Sequence, residues 1–348
     1  MDSKLPESRS LSRRDLLIAA AGGTVLPVLA QGRSVADSAN RRVNVPARVQ
    51  RIFPAGPPAA IWLYTLAPDA LIGWPRANRA AEREFLLPGI GDRPEVGRLT
   101  GRGNTTNLEQ LLLTSPDLIV DSGSTRATFV ELADRVQAQT GIPYALIDGR
   151  LEATAPGYLL LGELTGRRER AAQLARYAAD TLRTVQERVA RATARPRVYY
   201  ARGPEGLETG LGGSINVEMF EAMGIHHVAA GLQGGLATVS MEHVLGWDPE
   251  IIVTIDQTFA QTVRSNPLWR SVSAVKSGRV HLSPKLPFGW IDFPPSVNRL
   301  PGLWWLGSKV FPSLFPEDLT LLTRDFYRLF YQVDLSLAQV ARVLAGRD

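Results

Sequence analysis

From about Arg42 onward, short apolar runs alternate with stretches whose apolar residues recur every three or four positions. These are the periods of buried strands and of amphipathic helices. Arg51-Ile52-Phe53 reads as a strand entering the turn Pro54-Ala55-Gly56-Pro57-Pro58, and Ala59 to Leu66 then has helical spacing. Ala70 to Trp74 is the next expected strand. Asn107 to Leu113 is a short helix with Glu109 in its first turn, followed by the buried strand Asp117 to Asp121 and the turn Ser122-Gly123-Ser124. Residues 126–140 are again helical, Gly141 closes that helix, and Tyr144 to Ile147 is a further strand. Repetition of strand, helix and strand predicts a mostly parallel sheet with helices on both faces.

The pattern changes between Pro156 and Ala194. Tyr158 to Leu164 and Arg167 to Ala192 are helix-forming, with Gly166 between them, and the second stretch contains neither Gly nor Pro. At 1.5 Å per residue it would form a rod of about 40 Å. After Arg195-Pro196 the alternation resumes with Arg197 to Tyr200, and later with Glu250 to Thr254 and Arg279 to Leu282. The expected fold is α/β: two Rossmann-like lobes with mostly parallel central sheets, over 31–157 and 195–348, joined by one long α-helix over 158–194.

The two lobes carry a matching segment. Asn107-Leu108-Glu109-Gln110-Leu111-Leu112 precedes Ser115-Pro116-Asp117-Leu118-Ile119-Val120, and Val239-Ser240-Met241-Glu242-His243-Val244-Leu245 precedes Asp248-Pro249-Glu250-Ile251-Ile252-Val253. Each is a short helix bearing a glutamate, then a proline-led turn and a buried strand. The glutamate precedes the proline by seven residues in both.

Composition narrows the choices. With 348 residues, 45% hydrophobic and 21% charged, the chain suits two packed globular domains. It has no cysteine, which excludes disulfides, thiolate metal sites and cysteine nucleophiles. Residues 1–30 read as a secretory leader: Arg13-Arg14 lies just before the apolar run Leu16 to Ala21, and Val28-Leu29-Ala30 offers a small-residue cleavage site. The paired arginines resemble a twin-arginine export signal, and the run is too short for an ordinary spanning helix. The full chain carries a formal charge of +5, scattered rather than arranged as a basic block among aromatics, so nucleic acid is not an expected partner.

Taken together, the two glutamate helices, the long linking helix, Asn266-Pro267-Leu268-Trp269 and Ala274-Val275-Lys276-Ser277-Gly278-Arg279-Val280 resemble the periplasmic binding proteins of iron–siderophore and cobalamin ABC importers. The resemblance implies a monomeric, non-catalytic periplasmic shuttle without a cofactor. It would trap a ferric siderophore or related metal complex between its lobes and deliver it to a membrane permease dimer. It also implies that Glu109 and Glu242 dock onto permease arginines, one per lobe. Where relatives often carry a polar Thr-Glu pair, this chain has Ala60-Ile61, which leaves molybdate or tungstate, haem and cobalamin as alternative ligands.

Ligands of open α/β sheets sit beyond the carboxyl ends of the strands. Those loops hold Trp74, Arg76 and Arg126 in the first lobe, and Tyr199, Arg202, Trp290, Asp292 and Arg299 in the second. Arginine beside an aromatic ring suits a bulky anionic ligand, because the ring covers apolar surface while the guanidinium pairs with oxygens. His226, His227, His243 and His281 form no set with metal-ligand spacing, so no bare metal site is expected. An exported enzyme is the reading from another class. Gly210-Leu211-Gly212-Gly213-Ser214 is glycine-rich like a phosphate loop, but lacks the Walker lysine and the dinucleotide fingerprint.

Overall fold

A computed structural model describes residues 32–347 apart from Arg102 and Asn104; the leader expected over 1–30 lies outside the described residues. Two separate parallel sheets organise the chain. The first has the order Ile52–Pro54, Leu118–Gly123, Tyr144–Asp148, and Leu71 bridges to Ile52 on its outer side. The second has four strands in the order Val280–Leu282, Ile251–Thr254, Arg197–Ala201, His226–His227. Two antiparallel ribbons are added, Arg33–Ala36 with Arg42–Val45 and Glu208–Gly210 with Leu236–Thr238. The fold is therefore the two-lobed α/β arrangement.

Local chemistry sets the element ends. The Ala127–Thr140 helix stops at Gly141, which takes the left-handed conformation (φ 72°) that glycine adopts without steric cost. The Leu108–Leu113 helix begins at Asn107, whose side chain accepts from the Gln110 N–H while the Gln110 side chain reaches back. The Met241–Trp247 helix is capped by Ser240 in the same way, with the Ser240 hydroxyl accepting from the His243 N–H at 3.3 Å.

Between the sheets run two helices, Thr154–Thr165 and Arg168–Val189, interrupted at Gly166 (φ 76°). The second spans about 33 Å and ends three residues before the expected limit, where Ala190 caps it. One continuous core extends through both helices and into both lobes. The C-terminal segment returns to it: the Tyr64 hydroxyl donates to the Tyr331 carbonyl at 2.9 Å, and Tyr327 meets Phe85 edge-on. These contacts join the C-terminal segment to the first lobe, and the carboxyl ends of two strands of the first sheet border an open cleft.

Candidate functional site

The cleft is a cavity of about 940 Å³. The first lobe contributes Ser122 and Gly123 at the end of one strand, Asp148 and Gly149 at the end of its neighbour, Thr100, and the N-terminal turns of two helices. The second lobe closes it with Gly212-Gly213-Ser214, Asn216 and Gln233 to Gly235. Glycine is required where backbones approach closely. A Cβ on Gly149 would sit 2.7 Å from the Gly123 Cα, and one on Gly212 would sit 2.4 Å from the Ala230 carbonyl oxygen. Aligned peptide dipoles at the start of the Pro57–Leu66 and Ala127–Thr140 helices favour negative charge here.

Three side chains define the electrostatics. Arg126 is exposed at the start of its helix; its Nε donates to the Ser124 hydroxyl at 3.2 Å, and it makes no ion pair with a carboxylate among the described residues. Arg150 is neutralised by Asp148 at 2.7 Å and Glu152 at 2.8 Å. Ser122 lines the cleft, and its buried hydroxyl has no hydrogen-bond partner. A buried hydroxyl left unpaired is costly.

Asp121 lies beside it with both oxygens engaged, accepting from Thr100 Oγ1 at 2.9 Å and the Tyr144 hydroxyl at 3.3 Å. Burial pushes its pKa up to about 6, with those two hydrogen bonds opposing. The ordinary value is 3.8, so between about pH 4 and 6 the folded chain holds a proton that the unfolded chain has lost. Stability therefore falls as pH rises through that window, by on the order of 3 kcal/mol, and stays lower above it. Asp121→Asn is expected to remove this slope. Thermal unfolding of wild type and variant from pH 4 to 7 checks it: their difference should change steadily with pH, and a constant offset would refute the assignment.

The structure separates the residues expected at the site. Arg126 lines the main cleft. Trp74 and Arg76 line a smaller cavity of about 230 Å³ alongside, with Ile61, Phe288, Phe293 and Pro294. The Trp74 indole N–H donates to the Ile90 carbonyl at 2.8 Å, and Arg76 holds Glu82 through two bonds of 2.8 and 2.7 Å. The other five do not line either cavity. Tyr199 is buried between Trp247 and Trp269 with its hydroxyl on the Gly206 carbonyl. Trp290 is 1% exposed within the core. Arg202 and Asp292 form a buried ion pair at 3.4 Å, flanked by Glu208 and Tyr200.

Arg299 is a strap between lobes rather than a ligand contact. From the second lobe it pairs with Glu218 at 2.8 Å and donates across to the Gly149 carbonyl of the first at 2.5 Å. Glu218 in turn accepts from the Leu151 N–H at 2.8 Å. Ser122 and Gln233 fall in strand-end segments that the sequence marks, but neither they nor Asp121 are among the residues expected to contact the ligand. Gly212-Gly213-Ser214, glycine-rich like a phosphate loop in the sequence, lines the cleft.

Glu109 and Glu242 are exposed in the first turns of their helices. Three residues on, Leu112 and Leu245 are also exposed, at 47% and 43%, so each helix presents the same acid–leucine pair on one face.

These features define a two-lobed α/β fold with a large cleft between its lobes. Residues 92–286 match the family model described as periplasmic binding protein, and the chain belongs to that family, whose members bind small molecules for ABC permeases. It is similar to the molybdate-binding protein MolA of Haemophilus influenzae, with 24% identity over 275 residues covering 72% of this chain and 77% of MolA. Its fold matches an ABC transporter solute binding protein from Sulfurospirillum deleyianum, with TM-score 0.81 and 29% identity over 89% of this chain and 98% of that one. The structure of molybdate-bound MolA gives TM-score 0.73 and 22% identity over 87% and 99%. Among the described residues no helix is long and apolar enough to cross a membrane.

Proposed function

We propose that this protein captures a small oxyanion of the molybdate or tungstate class in the interlobe cleft and hands it to an ABC permease. The observation that carries this reading is Arg126, which lines the cleft with no carboxylate partner among the described residues, near Ser122, whose buried hydroxyl has no hydrogen-bond partner. Helix N-termini and glycine loops add backbone N–H donors suited to oxygens on several sides. The similarity to a molybdate-binding protein supports the same ligand class. A ferric siderophore is the second reading, favoured by a cleft of about 940 Å³, far larger than one oxyanion. Export through Arg13-Arg14, a monomeric state, and docking through Glu109 and Glu242 complete the proposal.

Isothermal titration with molybdate, tungstate, sulfate and ferric catecholate tests the ligand. Molybdate and tungstate should bind. Arg126→Ala should weaken them about 10- to 100-fold, the range for a charge-assisted hydrogen bond, and Ser122→Ala by less than about tenfold. Binding of the ferric complex alone would replace the oxyanion reading with the siderophore one.

A further inference from the structure

Phe293 is out of keeping with its surroundings. It is 74% exposed, while Ile291 and Asp292 before it are buried. Its φ of 68° places a bulky side chain in the left-handed region, a costly conformation that usually marks a constrained functional position. The cost is met by a buried network: the Phe293 N–H donates to Asp292 Oδ1 at 2.6 Å, and Asp292 is held by the Tyr200 hydroxyl and Arg202. Arg202 and Asp292 thus act as positioning residues for an aromatic ring.

The ring borders the smaller cavity, whose walls are mostly apolar, with Ile61, Trp74, Phe288 and Pro294, and carry Asn78 and Arg98 as polar members beside Arg76. Its volume of about 230 Å³ exceeds the roughly 150 Å³ that suffices for benzene in an apolar protein cavity. It adjoins the main cleft: Pro57 lines both, and Pro294 on one side is followed by Pro295 on the other. Arg76 adds a cation at the rim, half-exposed but already paired with Glu82. Ala60 and Ile61 add apolar surface to this cavity.

We infer that this cavity is a subsite for the organic arm of the transported solute: the oxyanion is carried as an adduct whose aryl or short alkyl group lies against Phe293, Trp74 and Ile61 while its charged head sits in the polar cleft. This inference rests on the proposed anion-binding role of the main cleft and names the ligand more closely.

The test compares bare molybdate with molybdate complexed by catechol, using isothermal titration on wild type, Phe293→Ala and Phe293→Trp. The adduct should bind at least tenfold more tightly than molybdate. Phe293→Ala should erase that advantage and leave molybdate affinity within twofold, whereas Phe293→Trp should keep it. Circular dichroism of the exposed-site variants establishes that they fold. Equal affinity for molybdate and its catechol adduct in wild type overturns the subsite, and so does an advantage that persists in Phe293→Ala. If neither molybdate form binds, the oxyanion reading fails. Ferric catecholate binding that weakens tenfold in Phe293→Ala would then retain the subsite, and its insensitivity to that change would overturn it.

Discussion

Reversing both helix glutamates, Glu109→Lys together with Glu242→Lys, is expected to abolish uptake by cells carrying the cognate permease while leaving ligand affinity unchanged. The two carboxylates stand on matched helices of the two lobes, each exposed in a first turn. A permease dimer with two equivalent basic sockets would be engaged at both ends, and each ion pair sets orientation and capture rate. Hydrogen bonding from Ser240 holds the Glu242 carboxyl below its usual range, so it stays ionised in mildly acidic surroundings. Single reversals should give partial loss, and raising salt should weaken permease capture of the wild type. Radiolabelled molybdate uptake beside titration of the purified protein separates docking from binding. Undiminished uptake by the double variant would reduce both residues to acids that merely favour the starts of their helices.

The second large effect concerns the strap between the lobes. Arg299→Met should destabilise the protein by about 3–5 kcal/mol, the range for removing one partner of a buried ion pair. Arg299 is 1% exposed, and its loss strands Glu218 and leaves the Gly149 carbonyl without that donor. Adding Glu218→Gln should recover part of the loss, because the uncompensated charge is gone. Denaturant unfolding of the two single variants and the double provides the cycle. A loss below about 1 kcal/mol for Arg299→Met would mean that water replaces the strap. The strap and the helices between the sheets also predict little change in radius of gyration on ligand binding, and small-angle scattering showing a large decrease would contradict it.

Particular residues show where sequence reading works for this chain and where it stops. The strands around Ile52, Val120, Leu146, Val198 and Ile252 were legible because each is an uninterrupted apolar run, as a sheet covered on both faces demands. The stops at Gly141 and Gly166 were legible because a left-handed cap needs little beyond its own residue. The ribbon Arg33–Ala36 with Arg42–Val45 was not, since its alternation is only four residues long on each side. The expected strand Ala70 to Trp74 is reduced to isolated bridges at Leu71 and Trp74, because its partners are single residues of neighbouring segments.

Aromatic and cationic side chains near strand ends were the least legible. Tyr199 and Trp290 are as compatible with a ligand cleft as with a core until the surrounding chain is placed, and here Trp247, Trp269 and the C-terminal segment bury them. Arg126, Arg76 and Arg150, three of the four arginines that line the two cavities, look alike in sequence. Of these three, Arg126 alone makes no ion pair with a carboxylate among the described residues, since Glu82 holds Arg76 and Asp148 with Glu152 holds Arg150.

The sequence by itself determined the α/β class, the two lobes, the matched glutamate helices and the family, because these depend on local periodicity, caps and spacing within single segments; the single connecting helix expected over 158–194 is instead two helices broken at Gly166. Tertiary structure alone decided which side chains line the cleft. The cleft is assembled from loops more than a hundred residues apart, and burial and charge pairing are properties of neighbours in space. That is why Ser122 and Arg126 came to line the cleft, Arg299 became a strap, and Phe293 was left exposed beside the smaller cavity.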